Sequence, residues 1–101
     1  MYTVMNRIAV PAAGAAAFEE RFAASMRATL PGVDGLLGSR LLRPQQEGGV
    51  HVAVMDFADE QAFAAWTRSE SFRAAHAHGP SEGDGVGGGV ETFETVVSVG
   101  A

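Results

Sequence analysis

The order in which hydrophobic residues change their spacing is the feature that most restricts the fold of this chain. Residues 2–10 alternate between two faces, as a strand does, and residues 15–30 carry apolar side chains four positions apart, as a helix does. Two more strand patterns follow at residues 36–43 and 50–57, the second of them apolar on both faces. A helical segment and a last strand pattern at residues 90–99 complete the series.

The order strand, helix, strand, strand, helix, strand predicts an α+β fold of the ferredoxin-like βαββαβ type. In that arrangement one antiparallel sheet carries both helices on a single face. The other face includes apolar residues of the 50–57 strand and needs a cover, for which a second copy of the sheet is the simplest candidate. We therefore expect a single domain over residues 1–101 that forms a homodimer with a closed β-barrel.

Composition and charge exclude several classes of function. The chain has no cysteine and a formal net charge of −5. Disulfides, thiolate nucleophiles and cysteine-ligated metals are therefore excluded, and the negative charge argues against nucleic acid and anionic membranes as partners. The sequence shows neither an apolar run of about 18 residues nor a secretory leader pattern. We expect a mature cytoplasmic protein with no nucleic-acid or membrane partner, in which iron chemistry would depend on histidine, carboxylates or a cofactor.

The most distinctive stretch runs from the only tryptophan, Trp66, to His78. Ten positions separate Trp66 from His76, about 80° short of whole turns on one continuous helix, so the two rings would diverge. Ser69 is a good N-cap for a new helix starting directly after it. A break at this point could direct both rings into one cavity, and Phe72, four residues before His76, would place the imidazole on an apolar face.

Asn6 interrupts an otherwise apolar strand face formed by Tyr2, Val4, Ile8 and Val10. Burial of an unpaired amide costs about 1–3 kcal/mol, so Asn6 should have a partner. A bond to nearby backbone or to a loop is the ordinary interpretation. The sharper interpretation is an amide directed into a ligand cavity, and the sequence leaves both open.

The other polar and glycine-rich features favour structural interpretations. His76 taken alone is more often a histidine stabilised at a helix end than a ligand, and a lone Trp66 is more often core. His78 lies roughly 200° further around the helix and is expected to face solvent, and the same is expected of His51, which has no carboxylate nearby in sequence. The glycine-rich segment 79–89 has no aromatic or basic anchor, so we expect slack rather than a lid.

Taken together, these residues resemble the heme-degrading monooxygenases of the IsdG type, in the antibiotic-biosynthesis-monooxygenase superfamily of dimeric α/β barrels. The resemblance extends over nearly the whole chain. Its weaker elements are Asn6-Arg7, Glu20-Arg21-Phe22, Gly35-Leu36-Leu37-Gly38 and Leu41-Leu42-Arg43-Pro44. Its most specific element is Gln61-Ala62-Phe63-x-x-Trp66 followed by Ser69-x-x-Phe72-x-Ala74-Ala75-His76-x-His78.

The resemblance implies roles for three residues. His76 would be the proximal ligand of heme iron, Asn6 the distal amide that hydrogen-bonds a small ligand of the iron, and Trp66 the distal indole that presses the porphyrin out of plane. Heme would then be both substrate and cofactor, opened with O2 and with electrons from a donor or reductase, and its iron released. Further residues implied to line the macrocycle are Phe22, Met26, Leu37, Phe63 and Phe72.

Two alternatives remain open from the sequence. A cofactor-free monooxygenase of the same superfamily would oxidise an aromatic, polyketide-like substrate to a quinone. A noncatalytic dimeric barrel would bind heme without opening the ring when a reductant is added. Asn6 and Trp66 suit the first alternative as well, so the discriminating residue is His76, which has iron to bind only if heme is present.

Overall fold

The computed structural model describes residues 1–75 and 90–100 and contains one four-stranded antiparallel sheet. The strands, in chain order, are β1 (Tyr2–Ile8), β2 (Leu36–Leu42), β3 (His51–Phe57) and β4 (Val90–Glu94). The helices are α1 (Ala15–Thr29), α2 (Glu60–Thr67) and α3 (Glu70–Ala75). The strands lie in the order β2-β3-β1-β4, which confirms the ferredoxin-like arrangement, with the second helical segment divided into α2 and α3.

Two strands are shorter by two residues or more than their sequence patterns indicate. β1 ends at Ile8 rather than at Val10, because Ile8 pairs with His51, the first residue of β3. β4 ends at Glu94 rather than at residue 99, because Glu94 pairs with Tyr2, the first residue of β1. One further bond, from the Thr95 N–H to the Met1 carbonyl at 2.9 Å, extends this ladder.

Strand register determines which residues share a face. Residues directly opposite each other in neighbouring strands point to the same side of a sheet. On the helix side, β1 and β3 contribute the pairs Tyr2 and Phe57, Val4 and Met55, Asn6 and Ala53, and Ile8 and His51. Asn6 therefore points towards the helices, flanked along β1 by two buried apolar residues.

The hydrophobic core lies at the end of the sheet covered by α2. Val4, Phe57 and Trp66 are its buried residues. Half-buried side chains packed around them are Tyr2, Leu30, Val33, Leu36, Met55, Ala62, Phe63 and Phe72. Gly35 (φ +79°) permits the close approach of α2, because a Cβ there would lie 2.5 Å from the Ala62 Cβ.

The opposite face of the sheet is partly apolar and has no helix over it in the described ranges. Thr3 donates a hydrogen bond to Asp56 at 2.7 Å, and Arg7 pairs with Glu91 at 2.9 Å. Around these polar pairs, Leu42 and Phe93 remain substantially exposed. The predicted need for a cover on this face therefore still stands.

Candidate active site

The helical segment that carries Trp66 breaks at Ser69. The Ser69 hydroxyl donates a hydrogen bond to the Trp66 carbonyl at 2.6 Å and accepts one from the Phe72 N–H at 3.1 Å. One side chain thus terminates α2 and caps α3, as the sequence predicted. Asp59 likewise caps α2 through a bond from the Ala62 N–H at 2.8 Å. Helix α2 therefore ends at Thr67 and α3 begins at Glu70.

Trp66 is held within a cluster of aromatic rings. Its ring centroid lies 5.9 Å from that of Phe57, 6.4 Å from that of Phe63 and 4.9 Å from that of Phe72, the last in an edge-on arrangement. The residue is only 6% exposed. Edge-on and tilted ring pairs at these separations are favourable beyond their buried area. Trp66 is therefore a core residue. Its predicted contact with a ligand would be made by the small part of the indole that stays exposed, while the neighbouring rings hold the indole in place.

Asn6 is a polar residue on the helix-facing side of the sheet, and its side-chain oxygen has no hydrogen-bond partner among the described residues. Its neighbours across the sheet are Ala53 on β3 and Val90 on β4. The Asn6 Oδ1 atom is buried and accepts no hydrogen bond from the described residues. The ordinary interpretation, an amide bonded to backbone or loop, is thus not met at this oxygen. Because an unpaired buried amide is costly, this oxygen should have a hydrogen-bond partner other than the described residues.

The remaining predicted lining residues occupy three places. Phe63 and Phe72 lie in the Trp66 cluster, whereas Phe22 and Met26 are half-buried on α1. Leu37 lies at an irregularity of β2 and is 61% exposed, away from that cluster. His76, His78 and the glycine-rich segment 79–89 lie outside the described residues. Among those that are described, no three histidine or carboxylate side chains group as a metal site.

The structure reveals a polar cluster that the sequence interpretation missed. His51 is 3% exposed, and its Nε2 lies 2.8 Å from Glu19 Oε2. Arg43 donates two further hydrogen bonds to the same carboxylate, from Nε at 2.8 Å and from Nη2 at 2.6 Å. The expectation that His51 faces solvent was wrong. Its carboxylate partner lies 32 positions away on α1, and the alternation with Ala53, Met55 and Phe57 was the signal that places it on the helix side.

This cluster fixes the charge of Glu19. The hydrogen bonds from Arg43, and then from His51, lower the pKa of Glu19 to about 2. Glu19 in turn raises the pKa of Arg43. An ionised carboxylate can only accept hydrogen bonds, so the proton in the hydrogen bond between His51 and Glu19 lies on His51 Nε2. The imidazole is therefore held in one orientation, with its edge near the ring of Phe18 at a centroid distance of 5.3 Å.

The lowered pKa predicts a loss of stability in acid. Glu19 has an ordinary pKa of 4.5 and a pKa of about 2 in the folded protein, so the unfolded chain takes up its proton first as the pH falls. The stabilisation is complete above about pH 5 and is lost progressively as the pH falls towards the folded-state value. In urea unfolding measured across this pH range, the free energy of unfolding should fall more steeply with decreasing pH in the wild type than in Glu19→Gln. If the free energy of unfolding depended on pH in the same way in both proteins, the lowered pKa of Glu19 would be contradicted.

Comparison with known proteins agrees with this fold. The family model described as antibiotic biosynthesis monooxygenase matches residues 1–78. The chain belongs to the antibiotic biosynthesis monooxygenase family. The matched region includes Asn6, Trp66 and His76.

Two similar solved structures cover all or nearly all of the chain. A single-substitution mutant of MhuD with two manganese protoporphyrin IX molecules per active site is 33% identical, with a TM-score of 0.81 and 100% coverage of both chains. The heme-degrader MhuD from Mycobacterium tuberculosis, with two hemes in its active site, is 32% identical with a TM-score of 0.79, covering 99% of this chain and 100% of that one.

A third similar structure shows the same fold with different chemistry. SnoaB, a cofactor-independent oxygenase from Streptomyces nogalater that was solved as a mutant, is 24% identical with a TM-score of 0.68 and covers 97% of this chain and 95% of its own. No curated protein matches the chain by sequence comparison. Within residues 1–75 and 90–100, none of the helices has the length and apolar character to cross a membrane.

Proposed function

We propose that this monooxygenase degrades heme, binding it through His76 and using O2 and external electrons to open the porphyrin ring and release iron. The observation that carries the proposal is the buried Asn6 Oδ1, which lacks a partner among the described residues on the side of the sheet where the helices pack. The similarity to a heme-degrader at 32% identity over nearly the whole chain supports the same conclusion.

The residues present fit a flat, largely apolar macrocycle with one polar centre. Trp66, Phe63 and Phe72 form an aromatic wall whose members hold each other in place. Asn6 offers a carboxamide that can present either its N–H or its oxygen to a small polar molecule. His76 supplies the imidazole that would hold the iron from one side only.

Each of these residues would have a distinct task. When bound, heme would supply the iron chemistry that activates dioxygen, and His76 would hold that iron. Asn6 would orient a small ligand by hydrogen bonding, in a position from which apolar neighbours exclude water. Trp66 would limit how flat the macrocycle can lie, because Phe57 and Phe72 prevent the indole from yielding.

Binding can be tested by titrating hemin into the wild type and into two matched variants, His76→Ala and His78→Ala. The wild type and His78→Ala should give a saturable Soret band, whereas His76→Ala should give a weaker or shifted band, because only His76 is proposed as the iron ligand. If the wild type gave no saturable Soret band, heme would be excluded as the substrate.

The cofactor-free alternative has one observation in its favour. Asn6 and Trp66 would serve an aromatic substrate as well as a porphyrin, and SnoaB shares the fold. An aromatic polyketide-like molecule would then occupy the space that Asn6 faces, and His76 would have no iron to bind. Equal activity of the wild type and His76→Ala on such a substrate, without heme, would favour this alternative.

We further propose that the protein is a cytoplasmic homodimer in which a second copy covers the free face of the sheet. Exposed Leu42 and Phe93 lie on that face, and exposed Val96, Val97 and Val99 follow β4. Contact between two copies would remove these side chains from water. Sedimentation at several concentrations should give the dimer mass. A monomer mass throughout would contradict the dimer.

A further inference from the structure

Helix α1 contacts α3 and is also attached near its N-terminal end and just beyond its C-terminal end. Near the N-terminal end, Phe18 is the buried residue of α1, and the neighbouring Glu19 side chain is 19% exposed. Beyond the C-terminal end, Leu30 and Val33 pack against the core that contains Trp66. Between these attachments, the inward side chains of α1 are half-buried rather than buried.

Asn6 lies between the two attachments along strand β1. Val4, on one side of it, belongs to the core cluster together with Leu30. Ile8, on the other side, pairs with His51, which contacts Phe18 and Glu19. A ligand space between this part of β1 and α1 would therefore be bounded at one end by the core and at the other end by the cluster around Glu19.

The attachment at the Glu19 end is ionic and directional. The Glu19 carboxylate receives two hydrogen bonds from Arg43, which directly follows β2, and one from His51, the first residue of β3. Charge-assisted and bidentate bonds fix both distance and angle, whereas apolar contacts allow neighbouring elements to slide. Three such bonds to two different strands tie the first half of α1 to the sheet at a defined separation.

We infer that Glu19 is a positioning residue that, through His51 and Arg43, fixes the separation of α1 from the sheet and thereby the width of the space facing Asn6. The ligand that this width selects, a flat macrocycle such as heme, rests on the proposed function. Glu19 does not itself contact that ligand. It acts by keeping Phe22 and Met26 of α1 at the distance that a planar molecule requires.

The effect on α1 can be measured in the protein without heme. Glu19→Gln keeps the shape of the side chain but removes its charge, and the exposed Glu20→Gln is the matched control on the same helix. Loss of charge-assisted bonds should speed amide hydrogen exchange in the first half of α1 by about tenfold or more in Glu19→Gln. Glu20→Gln should exchange like the wild type. Equal exchange in all three proteins would overturn the inference.

The effect on ligand selection is measured by hemin titration of the same proteins. Glu19→Gln should bind hemin about tenfold more weakly, with a broadened or shifted Soret band. His51→Leu should behave likewise, whereas His51→Gln, which retains a donor for the carboxylate, should recover most of the affinity. Hemin affinity in Glu19→Gln and His51→Leu equal to that of the wild type would overturn the inference.

The two proposals fail in different ways. If the wild type did not bind hemin, the proposed function would be wrong, but hydrogen exchange would still report whether Glu19 holds α1. If the wild type bound hemin and the Glu19 and His51 variants differed from it only in unfolding midpoint, Glu19 would be structural and the positioning role would be wrong.

Discussion

Replacing Asn6 with leucine should strongly slow the breakdown of bound heme while leaving the fold at least as stable as before. The Asn6 Oδ1 is buried without a partner in the described structure, and its neighbours on the same face are apolar. Leucine is close in size and removes an unpaired polar group, whose burial costs about 1–3 kcal/mol. Loss of a hydrogen bond at the reacting centre should slow breakdown by about 10²-fold or more.

The test is specific because Asn6→Leu should lower the rate of heme breakdown without lowering the stability of the fold. Urea unfolding and the rate of Soret bleaching under reductant would be measured on the same samples. Met5→Leu is the control, because Met5 precedes Asn6 on the strand and points to the other face of the sheet. Breakdown at the wild-type rate in Asn6→Leu would remove Asn6 from the proposed site. A large loss of stability would show that its amide has a structural partner.

Replacing Trp66 with alanine should cost about 3–5 kcal/mol of unfolding free energy. The indole is 6% exposed and contacts the rings of Phe57, Phe63 and Phe72, so its removal leaves a cavity in the core. A domain of this size has only about 5–15 kcal/mol of stability in total. Trp66→Ala should therefore be close to unfolding at room temperature, which thermal denaturation followed by circular dichroism would measure.

Trp66→Phe separates the core role of this residue from its proposed role at the ligand. Phenylalanine retains an aromatic ring in the cluster, so most of the fold stability should remain. The smaller ring should press less on a bound macrocycle, and heme breakdown should slow while hemin affinity changes little. Wild-type breakdown in Trp66→Phe would limit Trp66 to the core.

Elements whose signals are local were predictable from the sequence. Ser69 carries out the capping role expected of it, because a cap depends only on residues within one turn. The alternation of β1 placed Asn6 on the buried face. The order of periodicities was sufficient to give the ferredoxin-like topology.

Features that depend on distant partners were not predictable in the same way. His51 was assigned to solvent because no carboxylate lies near it in sequence, yet Glu19 reaches it from α1. The end of β4 was predicted too far along the chain, because the position of that end depends on where β1 begins. The valines that follow Glu94 do not indicate that the pairing stops there. Leu37 is 61% exposed at an irregularity in the pairing of β2 with β3, and its predicted place in the lining of the site stays a prediction.

The most direct test of heme degradation is aerobic reduction of the hemin-loaded protein by ascorbate, with catalase present to remove free peroxide. The Soret band and the iron bound by a ferrous chelator would be followed together. The mass of the tetrapyrrole product would be measured by mass spectrometry. Bleaching with matching iron release and a ring-opened product is the expected result. A Soret band that persists with ascorbate and with a protein reductase, with no iron released, would contradict heme degradation and leave a heme-binding protein.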